Sequence, residues 1–293
     1  MIDQDFILQV SRFAEKYADP EQPVPTQVAG LFVVRQESPS KLDWTVYDPN
    51  VCLVLQGRKT AHIGARKLVY GAGDALIVSH SVPTVSAVLE ASRAKPYLAL
   101  ILRLDLNTLR ELVFEFGEDL AARGDGHTMD VERANEHLVS CLVRLFGSSQ
   151  DPLNAKAIAP MAMREAHFHL LRARHAGMLR QLMDNESKAS KVALATAEIQ
   201  KGFRGRIVVA HIAALTGMSI SVFHKAFKEV TSMTPLQFQK NLRLIEARRL
   251  IGFSDKSVSQ IAFEVGYESP SQFSREYSRQ FGVSPSQDES QDQ

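Results

Sequence analysis

The 293-residue sequence has only two cysteines, Cys52 and Cys141. They lie too far apart for a disulfide framework or the paired spacing of a zinc site, and a reducing cytoplasm is the expected setting. No apolar run approaches the roughly eighteen residues that a membrane span needs. The opening, MIDQDFILQVSRFAEKYADP, puts acids ahead of its apolar residues, which is not the order of a secretory signal. Net charge is also scarce: 34 Lys and Arg stand against 33 Asp and Glu, for a balance of +1. What is present is an ordinary globular composition, 45% hydrophobic and 23% charged, long enough for two domains with separate cores.

The small net charge conceals a gradient. From Lys188 to Pro285 there are 14 bases and 7 acids, a balance of +7, whereas Ser286 to Gln293 carries −3 and residues 1 to 187 another −3. A basic C-terminal module on a slightly acidic body suggests a polyanion as its partner, although many lysine-rich helical domains are basic without one.

Along the chain, Phe6, Val10, Phe13 and Tyr17 form the stripe of an amphipathic helix, which the PEQPVPTQ segment ends. From Leu31 to about Leu106 short apolar runs (LFVV, VCLVL, DALIVS, TVSAVL, YLALILRL) alternate with turn residues, Gly57, Gly64, Gly71 and Gly73 among them. Many short strands at this spacing predict an antiparallel barrel or sandwich. Beyond Asp105 the period becomes helical: LNTLRELVFEFGEDL, MDVERANEHLVSCLVRLF and NAKAIAPMAMREAHFHLLRARHAGMLRQLM read as successive helices. Such a layer either packs as core or supplies a dimer interface.

The C-terminal hundred residues hold an internal repeat. HIAALTGMSISVFHKAFKEVTSMTP (211–235) aligns with QIAFEVGYESPSQFSREYSRQFGVSP (260–285), and LQFQKNLRLIEARRLIGFS forms a helix between them. Each copy predicts a short helix, a corner at Gly217 or Gly266 where a positive φ is needed, and a second helix. Phe273 and Tyr277, four apart, bury one face of that second helix. The opposite face carries Ser269, Ser271, Gln272, Arg275 and Arg279, and in the first copy Ser219, Ser221, His224, Lys225 and Lys228. Short polar groups early and cations later suit a helix lying in the major groove, where Gln pairs with adenine and Arg with guanine. A lone copy would be weak evidence, but two copies in one basic module are far more specific.

These segments, MSISVFHKAFKEVTSMTPLQFQKNLRLIEARRLI and SVSQIAFEVGYESPSQFSREYSRQFGVSP, resemble the AraC/XylS family of bacterial transcription regulators. The stretches YDPNVCLVLQGRKTAHIGARKLVYGAGDALIVSHSVP and ASRAKPYLALILRLD resemble the family's subgroup with an N-terminal arm and cupin-like sensor. Met233 and the ending SQDESQDQ depart from the family pattern.

The resemblance implies an α+β chain: an N-terminal cupin-like antiparallel β-barrel (1–106), a helical linker with dimerising potential (107–187), a C-terminal all-α domain with two helix-turn-helix units (188–285) and an acidic tail (286–293). It also implies a non-enzymatic regulator without a cofactor, partnered by double-stranded DNA and a small-molecule effector, with a second copy of the chain and RNA polymerase as candidate partners.

Within the sensor, Cys52, Gln56 and His80 are the candidate effector contacts, with Arg58 and Lys59 nearby; a buried structural thiol and rim residues are the plain alternatives. No metal set is expected. His62 and His80 are isolated, and His167 and His169, two apart on a helix, face different ways. The competing class is a cupin-type enzyme or binding protein whose basic helices dock another protein.

Overall fold

The computed structural model describes residues 2–17, 22–63, 66–117, 120, 128–174 and 176–289; Gly64 and the last four residues lie outside these. Helix α1 (Gln4–Ala14) starts at Asp3, whose carboxylate accepts from the Asp5 amide, and turns Phe6, Ile7 and Val10 inward. Strands β1 (Val24–Pro25), β2 (Leu31–Gln36), β3 (Asp43–Tyr47), β4 (Asn50–Gln56) and β5 (Arg58–Ile63) follow. Next come β6 (Arg66–Gly71), β7 (Asp74–Val78), β8 (Val82–Glu90) and β9 (Tyr97–Arg103). Helix α2 (Leu106–Phe116) precedes β10 (Met129–Arg133), and the described elements after β10 are all helices.

The strands pair antiparallel in two sheets, ordered β1-β2-β9-β4-β7-β10 and β3-β8-β5-β6. Cys52 and Val54 of β4, Ala61 of β5, Tyr70 of β6, Val88 of β8 and Tyr97 of β9 share one cluster, so the sheets face each other. The expected barrel is realised as two facing sheets with open sides rather than one ring of hydrogen-bonded strands.

The six-stranded sheet buries its other face under helices. Leu31, Val33, Leu53, Ile77, Leu100 and Leu102 pack with Phe6 and Val10 of α1 and with α2, α3 (Glu136–Ser148), α5 (Ala159–Arg172) and α6 (Ala176–Met183). Helix α4 (Pro152–Ala157), capped by Asp151, joins α3 to α5. Arg35, buried on β2, binds Ser11 of α1, Glu15 at that helix's C-cap and Glu37, so its charge is satisfied where the helix docks.

Two expectations change here. Helices α2, α3, α5 and α6, within the expected linker, form a third layer on the sheet, and the sheet domain does not end at 106, because β10 pairs with β7 from Met129–Val78 to Arg133–Asp74. The helical reading of MDVERANEHLV holds only from Glu136, after the Asn135 cap. Backbone pairing to an open sheet edge overrides the local helical period.

The C-terminal module holds α7 (Lys188–Gly202), α8 (Val209–Leu215), α9 (Ile220–Thr231), α10 (Pro235–Phe253), α11 (Val258–Glu264), α12 (Pro270–Phe281) and α13 (Pro285–Glu289). Phe238 and Leu242 of α10 enter one core with α7, α8 and α9; Leu244, Ala247, Leu250 and Ile251 enter another with α11 and α12. The sequence repeat is thus two cores strung on one helix of 19 residues, about 28 Å long at 1.5 Å per residue. Residues 286–289 of the expected acidic tail belong to α13: Asp288 is buried, accepts from Tyr277 Oη at 2.6 Å and pairs with Arg248 Nε at 3.0 Å. No helix among the described residues is long and apolar enough to cross a membrane.

Candidate nucleic-acid interface and effector cavity

The first unit is α8, a corner at Gly217 (φ +65°) and α9. Ser219 caps α9, its hydroxyl accepting from the Val222 amide at 3.4 Å. Phe223, Ala226 and Phe227 are buried, with the Phe227 ring edge-on to Phe238 at 5.6 Å. Ser219, Ser221, His224, Lys225 and Lys228 all lie on the exposed opposite face. In the second unit Ser257 opens α11 with a capping box, Gly266 (φ +95°) makes the corner, and Ser269 caps α12 by accepting from Gln272 N at 3.3 Å. Phe273 and Tyr277 are fully buried, while Ser271, Gln272, Arg275 and Arg279 are exposed and Ser269 half-buried. All ten residues therefore fall on two outward faces, with Ser219 and Ser269 acting as helix caps.

Residues that the pattern alone did not single out complete this surface. Glu276 accepts from Tyr267 Oη at 2.9 Å and from Gln272 Nε2 at 3.3 Å, so the Gln272 amide is held in place before any partner arrives. Their four-residue spacing was the available signal. Arg204, Arg206 and Lys240 line a groove of about 660 Å³ together with Gln272 and Glu276. Arg243 also borders the groove, but its guanidinium donates to the carbonyls of Phe203 (2.7 Å) and Gly205 (2.7 Å), fastening the α7–α8 connection. These bases come from two separated segments, so only the module's net charge announced them.

Between the sheets lies a cavity of about 360 Å³, walled by Phe32, Val34, Val46, Tyr47 and Ile101, with Lys59 and Arg103 among its polar groups. Lys59 stands 5.6 Å from the Tyr47 ring centre and 5.8 Å from that of Tyr97. Burial works against its ammonium, and the Tyr47 and Cys52 side chains pull the other way when ionised, for a net upward shift. Of the expected sensor residues only Lys59 reaches the cavity; Cys52, Gln56, Arg58 and His80 are not among its described lining residues.

Each of the others is committed elsewhere. Gln56 Nε2 donates to the Pro96 carbonyl at 2.8 Å, and Arg58 pairs with Glu90. Cys52 packs in the intersheet cluster, where burial pushes its thiol up against the pull of Lys59 and a hydrogen bond with Tyr97, the opposite of a reactive thiolate. His80 is buried between Ser79 Oγ (3.0 Å) and Thr128 Oγ1 (3.2 Å), and burial lowers its pKa to about 4.

The cavity wall also touches the helical module. Asp43, at the start of β3 and lining the cavity, pairs with Arg248 of α10, which also holds Asp288 and lies 4.7 Å from the Phe281 ring. Val46 of the same strand packs against the first helical core. A second link runs from His80 through the Thr128 hydroxyl to the Val230 carbonyl near the end of α9.

Residues 27–178 match the family model described as AraC-type transcriptional regulator N-terminus, and residues 212–291 match one described as helix-turn-helix domain. Among curated proteins, the HTH-type transcriptional activator RhaS of Salmonella arizonae is 30% identical over 166 residues, 55% of this chain and 58% of that protein. RhaS of Salmonella schwarzengrund is 29% identical over the same length. The chain thus matches under two thirds of these relatives' length. Among solved structures, an apo ToxT variant from Vibrio cholerae superposes over 90% of this chain and 98% of its own with a TM-score of 0.60 at 11% identity. ToxT bound to an unsaturated fatty acid covers 92% of this chain and 96% of its own, with a TM-score of 0.53 at 10% identity. At such identities the likeness is one of fold.

Proposed function

The chain belongs to the AraC-type transcriptional regulators, whose N-terminal model covers more than half of it, and from that premise we propose that it binds an operator duplex and answers a small-molecule effector. The carrying observation is the pair of outward faces on α9 and α12, each backed by its own core on α10. At about 28 Å, α10 is close to the roughly 34 Å between successive major grooves on one side of a duplex. We assign Ser221, His224, Lys225, Ser271, Gln272 and Arg275 to base edges and neighbouring phosphates, and Lys228, Arg279 and the Arg204–Arg206–Lys240 groove to the backbone.

The effector site in this reading is the intersheet cavity. Its volume lies at the lower end of the range for small-molecule pockets, and apolar walls with two cations suit a compact ligand with an apolar body and a negative group. The fatty acid and the butenoic acid named with ToxT structures fit that description and support the class. The relatives are named activators, and we extend that to this chain, with RNA polymerase as the partner at the promoter. Exposed Phe114, Leu153 and Met161 on the helical layer would serve a dimer.

Fluorescence anisotropy with duplexes from the promoter nearest its own gene tests the reading. Affinity should fall about 10³–10⁵-fold between 50 and 200 mM salt if six to ten phosphates are contacted, with operator still preferred over random duplex. Gln272→Ala and Arg275→Ala should each cost about 1–3 kcal/mol and relax base preference. Unchanged affinity and preference in both variants would refute the assigned face.

A further inference from the structure

Helices α3 and α5 run antiparallel against the large sheet and bring together ligand-type side chains that no linear motif connects. Cys141 of α3 and Glu165 and His169 of α5 each offer one atom, sulfur, oxygen and nitrogen, and all three lie within 4.8 Å of one another. Glu165 and His169 are four apart, so one helix face presents both, 3.7 Å between Oε1 and Nε2. His137, one turn before Cys141, stacks on the His169 ring at 4.9 Å and 10°. We propose that Cys141, Glu165 and His169 form a zinc site bracing α3 against α5, with the fourth, solvent-facing position beside His137.

The dimensions suit the ion. Tetrahedral zinc with bonds of about 2.0–2.3 Å needs its ligand atoms roughly 3.3–3.8 Å apart, so closing the set takes shifts of about 1 Å. A thiolate, an imidazole and a carboxylate together suit borderline-soft zinc better than magnesium or calcium, which take oxygen ligands. Burial is graded in the right order: Cys141 is fully buried, His169 has 13% of its side chain exposed and Glu165 45%, leaving an entry path from solvent. The cluster already attracts a cation. Arg144 pairs with Glu165 and reaches Cys141 Sγ at 3.5 Å, but an ion pair this exposed is worth no more than about 1 kcal/mol, so a metal can displace it. Arg172, one turn after His169 within reach of its field, is a second cation the metal must outweigh.

His167 does not compete for the ion. It turns away from α3, donating from Nδ1 to the Met163 carbonyl at 2.7 Å and accepting at Nε2 from the Asp105 amide at 2.8 Å. On binding, zinc replaces the Cys141 thiol proton, which leaves to solvent, and Glu165 exchanges Arg144 for the ion. The site is independent of the DNA-binding reading.

Full-length protein stripped with a chelator and titrated with Co²⁺, then Zn²⁺, tests it. One Co²⁺ per chain should bind with a thiolate-to-cobalt charge-transfer band and tetrahedral d–d bands, and one equivalent of Zn²⁺ should abolish both. Cys141→Ser should remove the charge-transfer band and Cys52→Ser should keep it. Because Cys141 is in the core, the decisive variants are Glu165→Gln and His169→Gln at the partly exposed positions. Each should weaken Co²⁺ binding by at least the ~10–100-fold that losing a mere supporting partner costs, and Zn²⁺ should raise the melting temperature of the parent protein only. Cobalt bound without a thiolate band, a band that survives Cys141→Ser, or unchanged affinity in both decisive variants would overturn the site.

Discussion

His80 shows how tertiary surroundings redirect a single side chain. As a sequence residue it looked like an effector contact; in the fold its ring lies between Ser79 and Thr128. Thr128 spends its hydroxyl proton on the Val230 carbonyl, so Nε2 of neutral His80 donates to Thr128 Oγ1, leaving Nδ1 as an acceptor beside Ser79 Oγ, whose single proton is shared between Nδ1 and the Thr128 carbonyl at 3.3 Å. Burial lowers its pKa from 6.5 to about 4. The protonated ring is therefore favoured in the unfolded chain, and stability is fully present above pH 6.5 and falls as the pH drops toward 4. The loss should reach on the order of 3 kcal/mol. Melting curves against pH should show that loss in the parent protein and a flatter profile in His80→Gln; equal slopes would contradict the assignment. Cys52 teaches the same lesson, since its place in VCLVL was legible and its raised pKa was a matter of what surrounds it.

At the scale of elements, the two helix-turn-helix corners look alike in sequence and differ in space. Gly217 and Gly266 both have positive φ, but a Cβ on Gly217 meets nothing within 4 Å, whereas one on Gly266 would lie 1.9 Å from the Arg204 carbonyl oxygen. Arg243 pins that connection, donating to the Phe203, Arg204 and Gly205 carbonyls, so the carbonyl cannot easily retreat. Gly217→Ala should cost about 1–2 kcal/mol, the penalty of a left-handed L-residue. Gly266→Ala should cost a further ~1–3 kcal/mol from overlap. Urea unfolding midpoints of the two variants measure the difference, and equal midpoints would show that the connection yields freely. The repeat, the caps and the buried faces of these units were legible because each depends on residues within one or two turns. Strand β10 was not, because a charged edge strand has no strong period of its own and is fixed by its partner β7.

Across the whole molecule, one strand serves both ends of the proposed signal. β3 lines the cavity with Asp43, Val46 and Tyr47, and the same Asp43 and Val46 meet the helical module at Arg248 and the first core. A ligand that shifts β3 would act on α10, the helix shared by both reading units. Asp43 is 57% exposed, so Asp43→Asn should change global stability by no more than about 1 kcal/mol. It should nevertheless speed amide hydrogen exchange in α10 around Arg248, read by mass spectrometry; unaltered exchange would mean that the pair does not couple the domains.

The sequence by itself determined the class of the chain, the two-unit module and the outward faces of α9 and α12, since helical period, caps and a repeat are written locally. The tertiary structure alone decided the rest. It made the helices α2, α3, α5 and α6 a layer on the sheet, placed Lys59 rather than Cys52 or His80 in the cavity, made Asp288 of the acidic ending an anchor, and set Cys141 beside Glu165 and His169. Each of these depends on residues far apart in the chain meeting across packed surfaces, which no local pattern encodes.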